Sequence, residues 1–309
     1  MQTRCAWASI WTLCSALVLG SMLATGCADS TLAPIEDGSS QTELREQVRY
    51  ALDAGPNQGA VPDSIDVTAE VLMQSLDSAR TLVTVALDDT IDVEAIYPVH
   101  IRANSADTTG PILQGLGAID NAARRAGRSV HLLPRPLDSL RVLDAHITLH
   151  EQVMPLDTVL AQGDIGANAS VQPTLFQLER PAAPDTATYP LAPVPNSRPE
   201  APSGIGGTIR FEALTPTMTL VEVRRAANAP VTNQAHPVHL REGAVGGGGR
   251  IAFYLGALDG HPQGARSSWA VVPRPFEELA AFGGHVRVSW SNTALETALG
   301  QGNVGANAP

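Results

Sequence analysis

Histidine is the side chain in this sequence best suited to chemistry, and the most suggestive histidines recur in matched pairs. His100 stands in Tyr97-Pro98-Val99-His100-Ile101-Arg102, and His239 in His236-Pro237-Val238-His239-Leu240-Arg241. His146 and His285 form a second pair. Imidazoles on one face of a strand can converge on copper or zinc, which makes His100, His236, His239 and His285 candidate ligands. Arg102 and Arg241 stand against that reading, since a guanidinium cannot ligate a cation and repels one. The plainer expectation is histidine bonded to backbone and arginine paired with an acidic neighbour.

Other chemistries find less support. Gly163-Asp164-Ile165-Gly166-Ala167-Asn168 and Gly302-Asn303-Val304-Gly305-Ala306-Asn307 offer oxygen ligands for calcium. Asn303 has lost the charge of Asp164, however, and no acidic series surrounds either copy. Both segments are therefore read as turns in which Gly163, Gly166, Gly302 and Gly305 take special backbone angles. Gly246 to Gly249 is a turn rather than a phosphate cradle, because lysine is absent from the chain. There is no G-x-S-x-G nucleophile elbow, and no enzymatic role is expected.

These residues are matched because the chain repeats itself. Residues 97–169 align without a gap onto 236–308 at an offset of 139, with about a third of positions identical. LGAID matches LGALD, PRPLDSL matches PRPFEEL, and AQGDIGANA matches GQGNVGANA. Upstream, after one length change, residues 81–85 (TLVTV) match 219–223 (TLVEV).

Short runs rich in Val, Ile and Thr predict strands over 65–72, 82–87, 99–101, 129–133 and 146–149, with counterparts in the second copy. Leu137, Leu140 and Leu143, mirrored by Phe276, Leu279 and Phe282, predict a short helix, and Thr293 with Glu296 has capping-box spacing. The expected fold is all-β: two tandem immunoglobulin-like or Greek-key β-sandwich domains with short helical turns. The expected boundaries are a first domain over 46–169, a Pro-rich linker over 170–206 and a second domain over 207–309. Within the linker, Leu175 to Leu178 is a candidate first strand of the second domain, matching Val48 to Leu52.

The Pro-Val-His elements, LGAID and GDIGAN together resemble the CHRD family, named after chordin, across both copies. That resemblance implies an extracellular β-sandwich with no established catalytic role. The histidine element is also similar to a copper-site strand of Cu/Zn superoxide dismutase, which would imply a copper or zinc cofactor.

Residues 1–26 carry one charge, Arg4, and then an uncharged run to Gly26, the pattern of a signal peptide. Small residues before Cys27 resemble the lipobox of bacterial lipoproteins. Cys5 and Cys14 lie inside the signal, so Cys27 alone survives cleavage, as lipid attachment requires. Ala28 at the next position implies the outer membrane of a Gram-negative bacterium, and 27–45 reads as a polar tether. Loss of Arg4 takes the formal charge from −11 to near −12, which disfavours nucleic acid as a partner. The expectation from sequence is an anchored envelope protein that binds a protein or glycan without catalysis, the alternative being a metal-binding protein.

Overall fold

A computed structural model of the chain describes residues 40–56, 67–88, 95–108, 110–121, 127–195 and 203–309. The expected signal peptide, Cys27 and the first part of the tether lie outside these residues. Seventeen strands and two short helices are described.

The first copy contains β1 (Ser40–Ala54), β2 (Ala69–Ser75), β3 (Thr81–Leu87), β4 (Ile96–Ala103), β5 (Ile112–Asp120), β6 (Arg128–Leu133), α1 (Leu137–Arg141), β7 (Asp144–His150) and β8 (Val159–Gly166). Between the copies run β9 (Thr174–Pro181) and β10 (Thr186–Pro193). The second copy continues with β11 (Gly207–Thr215), β12 (Met218–Arg225), β13 (His236–Glu242), β14 (Ile251–Leu258), β15 (Ser267–Val272), α2 (Phe276–Ala280), β16 (Gly284–Ser289) and β17 (Ala298–Val304).

The fold is all-β, and the pairing is antiparallel throughout. One sheet runs in the order β9, β1, β2, β3, β6, β15, β12, β11, β10. The other runs β8, β7, β4, β5, β14, β13, β16, β17. The ends of β1 and β10 leave the first sheet to pair with β8 and β17, which closes the ring and removes open edges from its sixteen strands. Alternation along the strands fills the space between the sheets. Val83 and Val85 on β3, and Val99 and Ile101 on β4, point into one apolar core, while Val221, Val223, Val238 and Leu240 fill a second.

The two copies are not separate domains on a spacer: Gly38–Pro309 is one compact unit. Ala118 of β5 pairs with Ala257 of β14, and Val130 of β6 pairs with Trp269 of β15. In both cases a residue meets its own counterpart 139 positions on, the arrangement that a two-fold axis generates at a self-complementary interface. Small side chains at Ala118 and Ala257 let the strands meet, with Val153 and Ala235 packed beside them.

The linker expected over 170–206 contains two strands. β9 pairs with Ser40–Gln47, so the first residues of β1, expected as tether, are sheet. The counterpart of Tyr50 and Leu52 is Tyr189 and Leu191 on β10, not Leu175 to Leu178: Asp53–Ala54 pairs with β8 as Ala192–Pro193 pairs with β17. Pro190 and Pro193 sit where β10 crosses between sheets, a place where missing N–H donors are tolerated. Both expected helices form, whereas the segment at Thr293 makes only turns, with Ala294 N–H donating to Ser291 O and Thr297 N–H to Ala294 O.

Candidate functional site

β4 and β7 bring His100, Arg102, His146, Thr148 and His150 together on the outward side of the second sheet. The register sets Arg102 opposite His146 and His100 opposite Thr148. Val99 and Ile101 face the core, so alternation turns His100 and Arg102 the other way. The second copy repeats the frame, with Arg241 opposite His285 and His239 opposite Arg287.

Several of these groups hold backbone in both copies. His146 Nδ1 donates to Asn104 O at 2.9 Å, and His285 Nδ1 to Gly243 O at 2.8 Å. Arg102 Nη1 donates to Gly110 O at 3.0 Å, and Arg241 Nη1 to Gly249 O at 3.2 Å. Asn104 and Gly243 both have positive φ, a conformation these contacts help to fix.

The closing segments act the same way. Asp164 Oδ1 accepts from Ala106 N–H at 2.7 Å, and Asn303 Oδ1 accepts from Val245 N–H at 2.8 Å. One acceptor oxygen is all this contact uses, which explains why aspartate and asparagine interchange. Asn168 Nδ2 donates to Asp144 Oδ1 and Ala145 O, and Asn307 Nδ2 to Gly284 O. Gly166 and Gly305 have φ of +64° and +58°, and a Cβ on either would lie 2.2 Å from a carbonyl oxygen. Gly163 and Gly302, expected to take special backbone angles, lie instead within β8 and β17 without positive φ, and only space constrains them, with Ala51 O and Pro190 O at 2.2 and 2.1 Å from the built Cβ.

The copies diverge around His100 and His239. Gly115 lies opposite His100 on β5, and without a side chain there the loop carrying Gly264 and Ala265 rests on the strand. That loop brings Asp259 Oδ2 within 3.1 Å of His100 Nε2, both side chains wholly buried. Asp259 Oδ1 also accepts from His261 N–H at 2.8 Å. His150 packs edge-on against His100 at 5.4 Å between ring centres, and His261 at 6.0 Å. Burial, followed by repulsion from His100 and Arg102, pushes the His150 imidazole down to about 3, so it is neutral. In the second copy Tyr254 replaces Gly115 and sits edge-on to His239 at 4.9 Å. His239 is buried with neither nitrogen hydrogen-bonded, and desolvation with Arg241 and Arg287 lowers it to about 4.

The four histidines of the metal alternative do not converge. His100 belongs to the first copy's cluster, and His236 bonds through Nδ1 to Trp290 O and through Nε2 with Thr232. His285 Nδ1 is committed to Gly243 O, and two guanidiniums flank His239. Among the described residues no group of three or more His, Cys, Asp or Glu side chains is placed to hold a metal ion.

A second feature was not read from the sequence. The outer face of the first sheet is apolar where polar residues are usual, and it opens into a groove of about 730 Å³ that both copies line. Leu82, Val130, Phe176, Leu214, Met218 and Trp269 are among its walls. The signal was present in TLVTV and TLVEV, where Leu82 and Leu220 break strict alternation. Comparison with protein-family models, curated proteins and solved structures finds no match for the chain.

Proposed function

We propose that this chain is a lipid-anchored cell-envelope protein whose two CHRD-like repeats form one non-catalytic binding module, and that the module takes an apolar ligand of small-molecule size. The groove on the outer face of the first sheet carries this reading. Its volume falls within the range of ligand pockets, and its walls are aliphatic and aromatic. Trp269, at the junction of the copies, is 7% exposed, and Phe176 and Leu178 on β9 pack over the same cluster.

The CHRD assignment rests on the Pro-Val-His and GDIGAN elements, and the anchor on Cys27 with the uncharged run before it. Placement in the outer membrane follows the lipobox resemblance. Labelling with radioactive palmitate and membrane fractionation test the anchor: Cys27→Ser is expected to lose both label and membrane association. Titration of residues 28–309 with N-phenyl-1-naphthylamine, followed by the probe's own fluorescence, tests the groove. Saturable one-to-one binding that weakens about tenfold or more in Met218→Lys is expected. Absence of saturable binding, or binding indifferent to that substitution, would remove the groove from the proposal.

A further inference from the structure

The second copy carries a cationic cluster that the first lacks. Arg241 and Arg287 have side chains only 4% and 7% exposed, and a single carboxylate spans them. Glu296 Oε1 accepts from Arg241 Nη2 at 3.2 Å, and Oε2 from Arg287 Nη1 at 3.0 Å. With its amide oxygen turned inward, Gln301 accepts from Arg287 Nε at 2.9 Å and Nη2 at 3.1 Å. Two guanidiniums facing one carboxylate leave an excess positive charge, although the chain as a whole is at −11.

Hydrogen-bonding capacity is also left over. Arg241 Nε, both nitrogens of the wholly buried His239 and His285 Nε2 have no hydrogen-bond partner. Unsatisfied buried polar groups are rare in folded proteins, and a cluster of them beside excess positive charge points to an absent anion. The first copy, where Arg102 Nε, His100 Nδ1 and His150 Nδ1 are likewise without partners, supplies an internal contrast in charge. It keeps an arginine at Arg102 but has Thr148 where Arg287 stands, and so presents one guanidinium instead of two.

We propose that Arg241, Arg287 and His239 form a binding site for a small oxyanion, a carboxylate or phosphate group, which Glu296 occupies in the free protein as a tethered stand-in. The Glu296 side chain is 78% exposed and can swing away by rotation about its own bonds. Its backbone is meanwhile pinned: Trp290 N–H donates to Thr297 O at 2.8 Å and Ser289 Oγ to Leu295 O at 2.9 Å. Planar guanidiniums suit such ligands because they donate to two oxygens at once. A tethered carboxylate competes at a high effective concentration, so a free anion binds weakly while Glu296 remains.

The site is independent of the apolar groove, and its test shares no probe with it. Inorganic phosphate and acetate would each be titrated into residues 28–309 at low ionic strength and followed by calorimetry. Glu296→Gln is expected to bind at least one of the two anions about tenfold more tightly than the unaltered protein, at one site per chain. Adding Arg287→Thr, which installs the first copy's residue in the same frame, should abolish that gain, while Arg102→Gln should leave it intact. Thermal melts report whether each variant is folded, and Arg241→Gln in the Glu296→Gln background replaces any Arg287 variant that is not. Equal affinity with and without Glu296, or a gain that survives loss of a guanidinium in a folded variant, would overturn the proposal.

Discussion

Asp259 of the second copy meets His100 of the first through a 3.1 Å contact between wholly buried side chains, so the first copy's polar interior is completed by the second. Removing the carboxylate would strand His100 Nε2 and free His261 N–H. Asp259→Ala is expected to lower the unfolding free energy by about 2–4 kcal/mol, read from urea denaturation. Asp164→Asn should change it by less than about 1 kcal/mol, because Asn303 already performs the equivalent task.

A second junction is ionic. Glu212 on β11 is buried, and its Oε1 accepts from Arg80 Nη1 of the first copy at 2.9 Å and from Arg180 Nη2 on β9 at 2.8 Å. Arg210 Nη2 lies 3.0 Å from the other oxygen, near enough for attraction but without hydrogen-bond geometry. Asp77 contacts Arg80 and Arg180 as well. Because Glu212 is 3% exposed, Glu212→Ala removes the buried anion that Arg80, Arg180 and Arg210 surround, leaving Asp77 alone against Arg80 and Arg180, and is expected to cost about 2–4 kcal/mol. Unfolding followed by tryptophan fluorescence and by far-ultraviolet circular dichroism should remain a single coincident transition, as one body requires. Two separated transitions in the unaltered protein would contradict it.

Backbone geometry carries the third expectation. Gly166 and Gly305 combine positive φ with a carbonyl oxygen 2.2 Å from any Cβ, so neither space nor conformation accommodates alanine. Gly166→Ala and Gly305→Ala should each destabilise by about 2–4 kcal/mol in thermal melts. Gly127→Ala meets no atom within 4 Å and serves as the neutral control.

What could be read from the sequence was what a local backbone demand imposes. The glycines of GDIGAN and GNVGAN, the helices at Leu137 and Phe276, and the strands around His100 and His239 all carry local signals. The start of β1 carries almost none: it is polar and becomes sheet only by pairing with β9, as Ser40 does with Pro181, and the strand signal at Leu175 to Leu178 does not reveal that partner. Self-alignment sets Asp120 beside Asp259 and His100 beside His239, which conceals that Asp259 crosses to His100. The deciding difference is one side chain, Gly115 against Tyr254, which admits a covering loop in one copy and a ring in the other. Glu296 has capping-box spacing from Thr293 in the sequence, but its contacts come from Arg241 and Arg287 on neighbouring strands.

The buried histidines set the response to acid. Burial leads the causes that lower His131 to about 4, His150 to about 3 and His239 to about 4, from an ordinary value of 6.5. In the unfolded chain these rings take a proton near pH 6.5, while the folded protein resists it, so the unfolded state binds more protons between that pH and 4. Their neutral forms therefore favour folding above pH 6.5, and that contribution falls as pH drops toward 4 and, for His150, toward 3. Each adds a slope of about 1.4 kcal/mol per pH unit across its window. Glu296 and Asp77, whose carboxyls are held below their ordinary values, reinforce the loss at lower pH. Urea denaturation from pH 7.5 to 4 should show stability declining below about pH 6.5. His131→Leu, which replaces a ring whose Nδ1 has no partner, should flatten that slope by one proton's worth. An unchanged slope in the variant would mean that His131 does not titrate differently in the folded and unfolded chains.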